Sequence, residues 1–113
     1  MLVLFDNGTP RTLARYLVGR HTVTEARARK WDELVNGDLL EAAESAGFEV
    51  LVTVDKNLRY QQNLAKRKIA LVVLGQGRWS LIQPHIPRVV AAVDVAIPGS
   101  YAEIEMPYKR RSA

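Results

Sequence analysis

Two segments constrain the fold of this 113-residue chain more than any others. Val50-Leu51-Val52-Thr53-Val54 and Ile69-Ala70-Leu71-Val72-Val73-Leu74 are short apolar runs without polar alternation. A strand with one wet face alternates polar and apolar residues. A strand without that alternation is buried on both faces, as in a parallel sheet. Leu2-Val3-Leu4-Phe5, stopped by Asp6-Asn7-Gly8, reads the same way, and His21-Thr22-Val23-Thr24 reads as a short second strand. Parallel strands need crossovers, and the segments between these runs have helix signals. Thr9 as N-cap and Pro10 as first helical residue open a helix with Leu13, Ala14 and Leu17 inward and Gly19 as its end. Residues 25–35 read as irregular or a short helix. Asn36 opens a clearer helix, with Leu39, Leu40, Ala43 and Ala46 inward and Gly47 as its stop. Leu58 to Lys66 reads as helical. The last helix opens at Ser80 or Gln83, with a first turn made irregular by Pro84 and Pro87, and presents Val89, Val90, Val93 and Ile97 as its apolar stripe. Tyr101 to Met106 alternates, as an edge strand does. The pattern predicts one α/β domain over residues 1–107: a three-layer α/β/α sandwich around a central, mostly parallel sheet. Residues 108–113 form a basic tail that the same reading expects to be frayed.

Composition removes several function classes. There is no cysteine, which excludes disulfide scaffolds, thiolate zinc sites, iron–sulfur clusters and a cysteine nucleophile. The two histidines, His21 and His85, are too few for a multi-histidine metal site within one chain, and both read as structural. No apolar run approaches the roughly 20 residues of a membrane span. Asp6 follows Met1 too closely for a signal peptide. The expectation is a cytoplasmic protein without a membrane partner.

Charge is segregated along the chain. Residues 31–55 contain seven acids and no base, whereas residues 56–88 contain seven bases and no acid. Within the acidic block or before it, three aspartates fall where α/β sheets bind ligands, outside the carboxyl ends of the strands. Asp6 ends the first strand, Asp55 ends the strand at 50–54, and Asp38 lies in the first turn of the helix that precedes that strand. Carboxylate oxygens in a shallow cleft suit Mg²⁺ or Mn²⁺, which would neutralise a scissile phosphate and activate a water. Lys56, Arg59 and Arg78 lie on the same expected rim as candidate phosphate holders. Asn57 opens a polar run through Asn63 that could touch nucleotide bases. Each acid also has an ordinary role open to it: Asp6-Asn7-Gly8 as turn chemistry, Asp38 as dipole compensation, Asp55 as a helix cap. Thr53 could orient a carboxylate or simply favour a strand. Trp31 and Trp79 read as core or interface anchors. Gly75-Gln76-Gly77 lacks the rest of a phosphate-loop motif.

The segments Leu4-Phe5-Asp6-Asn7-Gly8-Thr9-Pro10, Asn36-Gly37-Asp38-Leu39-Leu40-Glu41-Ala42-Ala43-Glu44 and Gly47 through Leu58, together with Tyr60-Gln61-Gln62-Asn63-Leu64 and Pro98-Gly99-Ser100-Tyr101, resemble the short PIN-like domains. These are the toxin halves of bacterial toxin–antitoxin operons. The resemblance implies an α/β/α sandwich and a Mg²⁺- or Mn²⁺-dependent endonuclease, usually acting on RNA, with DNA as the other substrate. It implies metal-binding and catalytic roles for Asp6, Asp38 and Asp55. It also implies a small DNA-binding antitoxin as partner and pairing into a homodimer. Where many members have further acids, this chain has Asn7 and Asn57. That departure keeps a second reading in play, a catalytically weak relative that binds nucleic acid or a partner protein without cleavage. A third reading, a phosphoacceptor receiver domain, wants an acid pair after the first strand and a lysine ending the fifth.

Overall fold

The computed structural model describes residues 1–34, 36–58 and 64–106. Arg59, the polar run at 60–63 and the tail at 108–113 lie outside the described residues. Five strands form one sheet: β1 (Leu2–Phe5), β2 (Thr22–Glu25), β3 (Val50–Thr53), β4 (Ala70–Leu74) and β5 (Tyr101–Ile104). Their order is β2-β1-β3-β4-β5, and every neighbouring pair is parallel. Three α-helices are described: α1 (Asn36–Ser45), α2 (Trp79–Ile82) and α3 (Ile86–Asp94).

The two runs without alternation behave as their composition requires. Every residue of β3 and of β4 is buried. Their side chains point alternately into two separate apolar clusters. Val3, Phe5, Val50, Val52, Val72 and Leu74 meet Leu13 and Leu17 of the first crossover and Ile82, Val89 and Val93 of α2 and α3. Leu4, Leu51 and Leu71 meet Leu39, Leu40 and Ala43 of α1, with Phe48 and Leu58. The sheet is therefore covered on both faces. β5 is an edge, with Ile104 and Met106 buried and Glu103 and Glu105 exposed.

The first crossover departs from the expected α-helix. Arg11–Tyr16 is a 3-10 helix, and Thr9 does not cap it. Thr9 is buried, and its hydroxyl donates to the Val52 carbonyl at 2.9 Å. Pro10, in extended backbone, takes the capping position instead. The 3-10 form rises about 2.0 Å per residue against 1.5 Å for an α-helix, so few residues reach far along the sheet. The irregular turn expected at the prolines is a 3-10 turn at Gln83–His85, but it lies between α2 and α3 rather than at the start of one helix. Ile97, expected on the apolar stripe, lies beyond the end of α3 and is exposed.

Polar latches fasten the layers. Arg67 donates to Glu44 at 2.7 Å and to Glu41 at 3.2 Å, and the Lys68 N–H donates to Glu44 at 2.6 Å. Burial pushes the Glu44 carboxyl up, but the Arg67 and Lys68 hydrogen bonds and charges outweigh it and hold it below its ordinary value. On the other face His21 joins Asp94 at 2.7 Å and the terminal amine of Met1 at 3.2 Å. The ammonium can only donate, so Nδ1 accepts and Nε2–H donates to Asp94. Arg20 also pairs with Asp94. The His21 hydrogen bond first, and then the Arg20 charge, hold the Asp94 carboxyl below its ordinary 3.8 despite partial burial.

Two outcomes follow. Helix α1 ends in a Schellman motif, with Phe48 N–H on Ala43 O and Gly47 N–H on Glu44 O, and with Gly47 at φ +88°. Gly47→Ala should lower stability by about 1–2 kcal/mol, read as a shifted urea midpoint at unchanged slope. A lowered carboxylate pKa stabilises the fold above the unfolded value and loses that contribution as pH falls through the folded one. Asp94→Asn should therefore destabilise at neutral pH, and its difference from the parent should shrink as pH drops below 3.8.

Candidate functional site

The strand order sets where a crevice opens. The chain leaves β1 for β2 on one side and later enters β3 on the other side of β1. Crossovers on opposite faces part the loops at the carboxyl ends of β1 and β3, and open α/β sheets bind ligands at such points. Asp6 follows β1, and Thr53 closes β3 two residues before Asp55.

A hydrogen-bond chain joins these residues. The Thr53 hydroxyl, fully buried, donates to Asp6 Oδ2 at 2.8 Å and accepts the Asp55 N–H at 3.1 Å. Asp6 Oδ1 accepts the N–H of Asn7 at 2.8 Å. Asp55 Oδ1 accepts the N–H of Asn57 at 2.9 Å, and its other oxygen accepts no bond among the described residues. The Asp6 N–H extends the ladder to the Val52 carbonyl at 2.9 Å. The Asp6 carboxylate is thus aimed by the Thr53 hydroxyl and the Asn7 N–H, and the Asp55 carboxylate by the Asn57 N–H, and each keeps lone pairs to offer.

Two cavities flank Asp6 and Asn7. One, about 130 Å³, is lined by Asp6, Asn7, Asp32 and Asp55 and walled by Leu34, Leu39 and Leu58. The Asn7 amide donates to the Asp32 carbonyl at 2.8 Å, which fastens the 31–34 loop over this cavity. The second, about 320 Å³, lies on the far side of Asp6 and Asn7 and includes Arg11, Glu25, Arg27 and Trp79.

The structure brings Asp6 and Asp55 together and leaves Asp38 apart. Asp38 is exposed and lines neither cavity, although its neighbour Leu39 does. Consecutive helical residues do not share a face, so turning Leu39 inward turns Asp38 away. Among the described residues, no three His, Asp or Glu side chains group as a metal site. Lys56 lines a separate cavity with Glu103 and Glu105. Arg78 is exposed at the start of α2, and Asn57 is exposed and contributes its N–H to Asp55. Arg59 is outside the described residues. Three residues at the crevice escaped the sequence reading in this role: Asp32, Arg11 and Arg27. The contact of Asn7 with Asp32 spans 25 positions, and no local spacing signals it.

Compared with family models, curated proteins and solved structures, the chain matches none.

Thr53→Val keeps the shape of the strand and removes both hydroxyl bonds. It should cost about 1–3 kcal/mol in urea unfolding, because the Asp6 carboxylate and the Asp55 N–H lose a buried partner.

Proposed function

We propose that the Asp6–Asp55 crevice hydrolyses phosphodiester bonds of RNA with Mg²⁺ or Mn²⁺, and that the chain is the toxin half of a cytoplasmic toxin–antitoxin pair. The observation that carries this reading is the Thr53 hydroxyl, which ties the carboxylate of Asp6 to the backbone of Asp55 at the mouth of the switch-point crevice. The toxin role, the small DNA-binding antitoxin and homodimer formation rest on the resemblance to short PIN-like domains.

The donor set fits the ion. Mg²⁺ is commonly held through one or two carboxylates, with waters and substrate phosphate completing the shell. Asp6 and Asp55 supply two carboxylates with free lone pairs in one cavity. A bound ion would neutralise charge on the scissile phosphate and lower the pKa of an attacking water. The remaining work falls to the chain's own groups. Thr53 fixes the carboxylate of Asp6 so that no side-chain reorganisation accompanies binding. Leu34, Leu39 and Leu58 form the dry wall that strengthens electrostatic interaction at the carboxylates. Asn7 holds the loop that carries Leu34.

A second reading, nucleic-acid or protein binding without cleavage, is favoured by the exposed position of Asp38 and by Asn7 standing where an acid would add a ligand. The receiver reading loses ground: β5 runs into Glu105 rather than a lysine.

Purified protein should cut single-stranded RNA in Mn²⁺ or Mg²⁺ and not in EDTA. Asp6→Asn and Asp55→Asn should each reduce cutting to background, and Thr53→Val should reduce it about 10–100-fold. Asp38→Asn should cost far less. Metal-independent cutting, or cutting that survives both substitutions, overturns the nuclease reading. Salt-sensitive RNA binding with no cutting in any divalent metal selects the second reading.

A further inference from the structure

The 320 Å³ cavity beyond Asp6 and Asn7 takes no part in the chemistry above. One wall is Trp79, which is half-buried against the core cluster beneath it. Tyr16 backs it, with ring centroids 6.1 Å apart and planes tilted by 31°. That packing holds the indole in place at the cavity. Two arginines reach the same space from different elements, Arg11 from the first crossover and Arg27 from the 3-10 turn after β2. Arg11 pairs with Glu25 at 3.3 Å and so cancels that acid, while its own side chain stays 75 % exposed. Arg27 is exposed, and its guanidinium has no hydrogen bond or ion pair among the described residues. Two glycines, Gly8 and Gly77, also line the cavity. A Cβ on Gly77 would stand 3.2 Å from the Gly8 carbonyl, a tight contact that shows how closely the loops after β1 and β4 approach each other.

An aromatic wall, an uncommitted guanidinium and a volume of this size, sharing Asp6 with the carboxylate cavity, suit one nucleotide. We infer that this cavity receives the nucleotide next to the scissile phosphate of a single-stranded nucleic acid, with its base against Trp79 and its phosphate at Arg27. The inference rests on the phosphodiesterase reading and assigns its substrate to this side of Asp6 rather than to Lys56 and Arg78. A single strand is favoured, because a base in a duplex must first be unstacked and unpaired, at a cost in free energy, before it can meet a wall within a cavity.

Binding of a dye-labelled single-stranded RNA oligonucleotide, followed by anisotropy in EDTA, tests this without cleavage. Matched single-stranded DNA and duplex RNA are run beside it. Trp79→Leu should weaken binding about tenfold, with Trp79→Phe restoring most of it. Arg27→Ala should weaken it several-fold and reduce the salt slope by about 0.7. Lys68→Ala, before β4 at the other end of the sheet, removes the same charge and should leave binding unchanged. Duplex RNA should bind more weakly than either single strand. Urea midpoints confirm that each variant is folded, and Trp79→Phe keeps the test valid if Trp79→Leu is not. Binding that is unaffected by Trp79→Leu and Arg27→Ala, equal or tighter binding of duplex, or no binding at all overturns the inference. Binding that depends on Trp79 and Arg27 without cutting in metal supports the inference and removes the nuclease reading. Cutting with binding indifferent to both residues does the reverse.

Discussion

Parallel pairing of β1 with β3 is the contact on which the rest of the molecule depends. It sets Phe5 beside Val52 and thereby brings Asp6 to the Thr53 hydroxyl across 47 positions of chain. With β2 on the other side of β1, right-handed connections then carry the two neighbouring crossovers over opposite faces of the sheet. Burial of both faces follows, and so does the crevice at the carboxyl ends. Slipping the pairing by one residue would turn every apolar side chain of β3 to the wrong cluster, so the register is strongly specified.

The crevice then acquires its character from groups with little freedom. Thr53 has no exposed surface, and its hydroxyl is committed in both directions, donating to Asp6 and accepting from Asp55. The Thr9 hydroxyl is committed once, donating to the Val52 carbonyl. Two threonines that a propensity argument would treat as a strand former and a helix cap are instead the fasteners of the loops that hold the acids. A buried hydroxyl without a partner costs about 1–3 kcal/mol, so each fastener fixes the geometry around it.

Charge along the chain and charge in space prove to be different things. The basic block from Lys56 onward contains the residues that the sequence offers as phosphate holders, Lys56, Arg59 and Arg78. In the fold, Lys56 faces Glu103 and Glu105, and Arg67 locks onto Glu41 and Glu44. The arginines nearest the crevice, Arg11 and Arg27, come from the start of the chain, because the β1–β2 crossover and the turn after β2 flank Asp6.

Runs of apolar residues without alternation determined, by themselves, the parallel sheet and the positions of β1, β3 and β4, since only double burial explains them. The stop of α1 at Gly47, the break at Pro84 and the placement of Asp6 and Asp55 at strand ends were legible for the same local reasons. Strand order, the 3-10 form of the first crossover, the outward turn of Asp38 and the gathering of Asp32, Arg11 and Arg27 around the crevice were decided only in three dimensions. They depend on which strand lies beside which and on which face of a helix the core claims. Those choices are made by packing between segments that are distant in sequence, and no spacing along the chain encodes them.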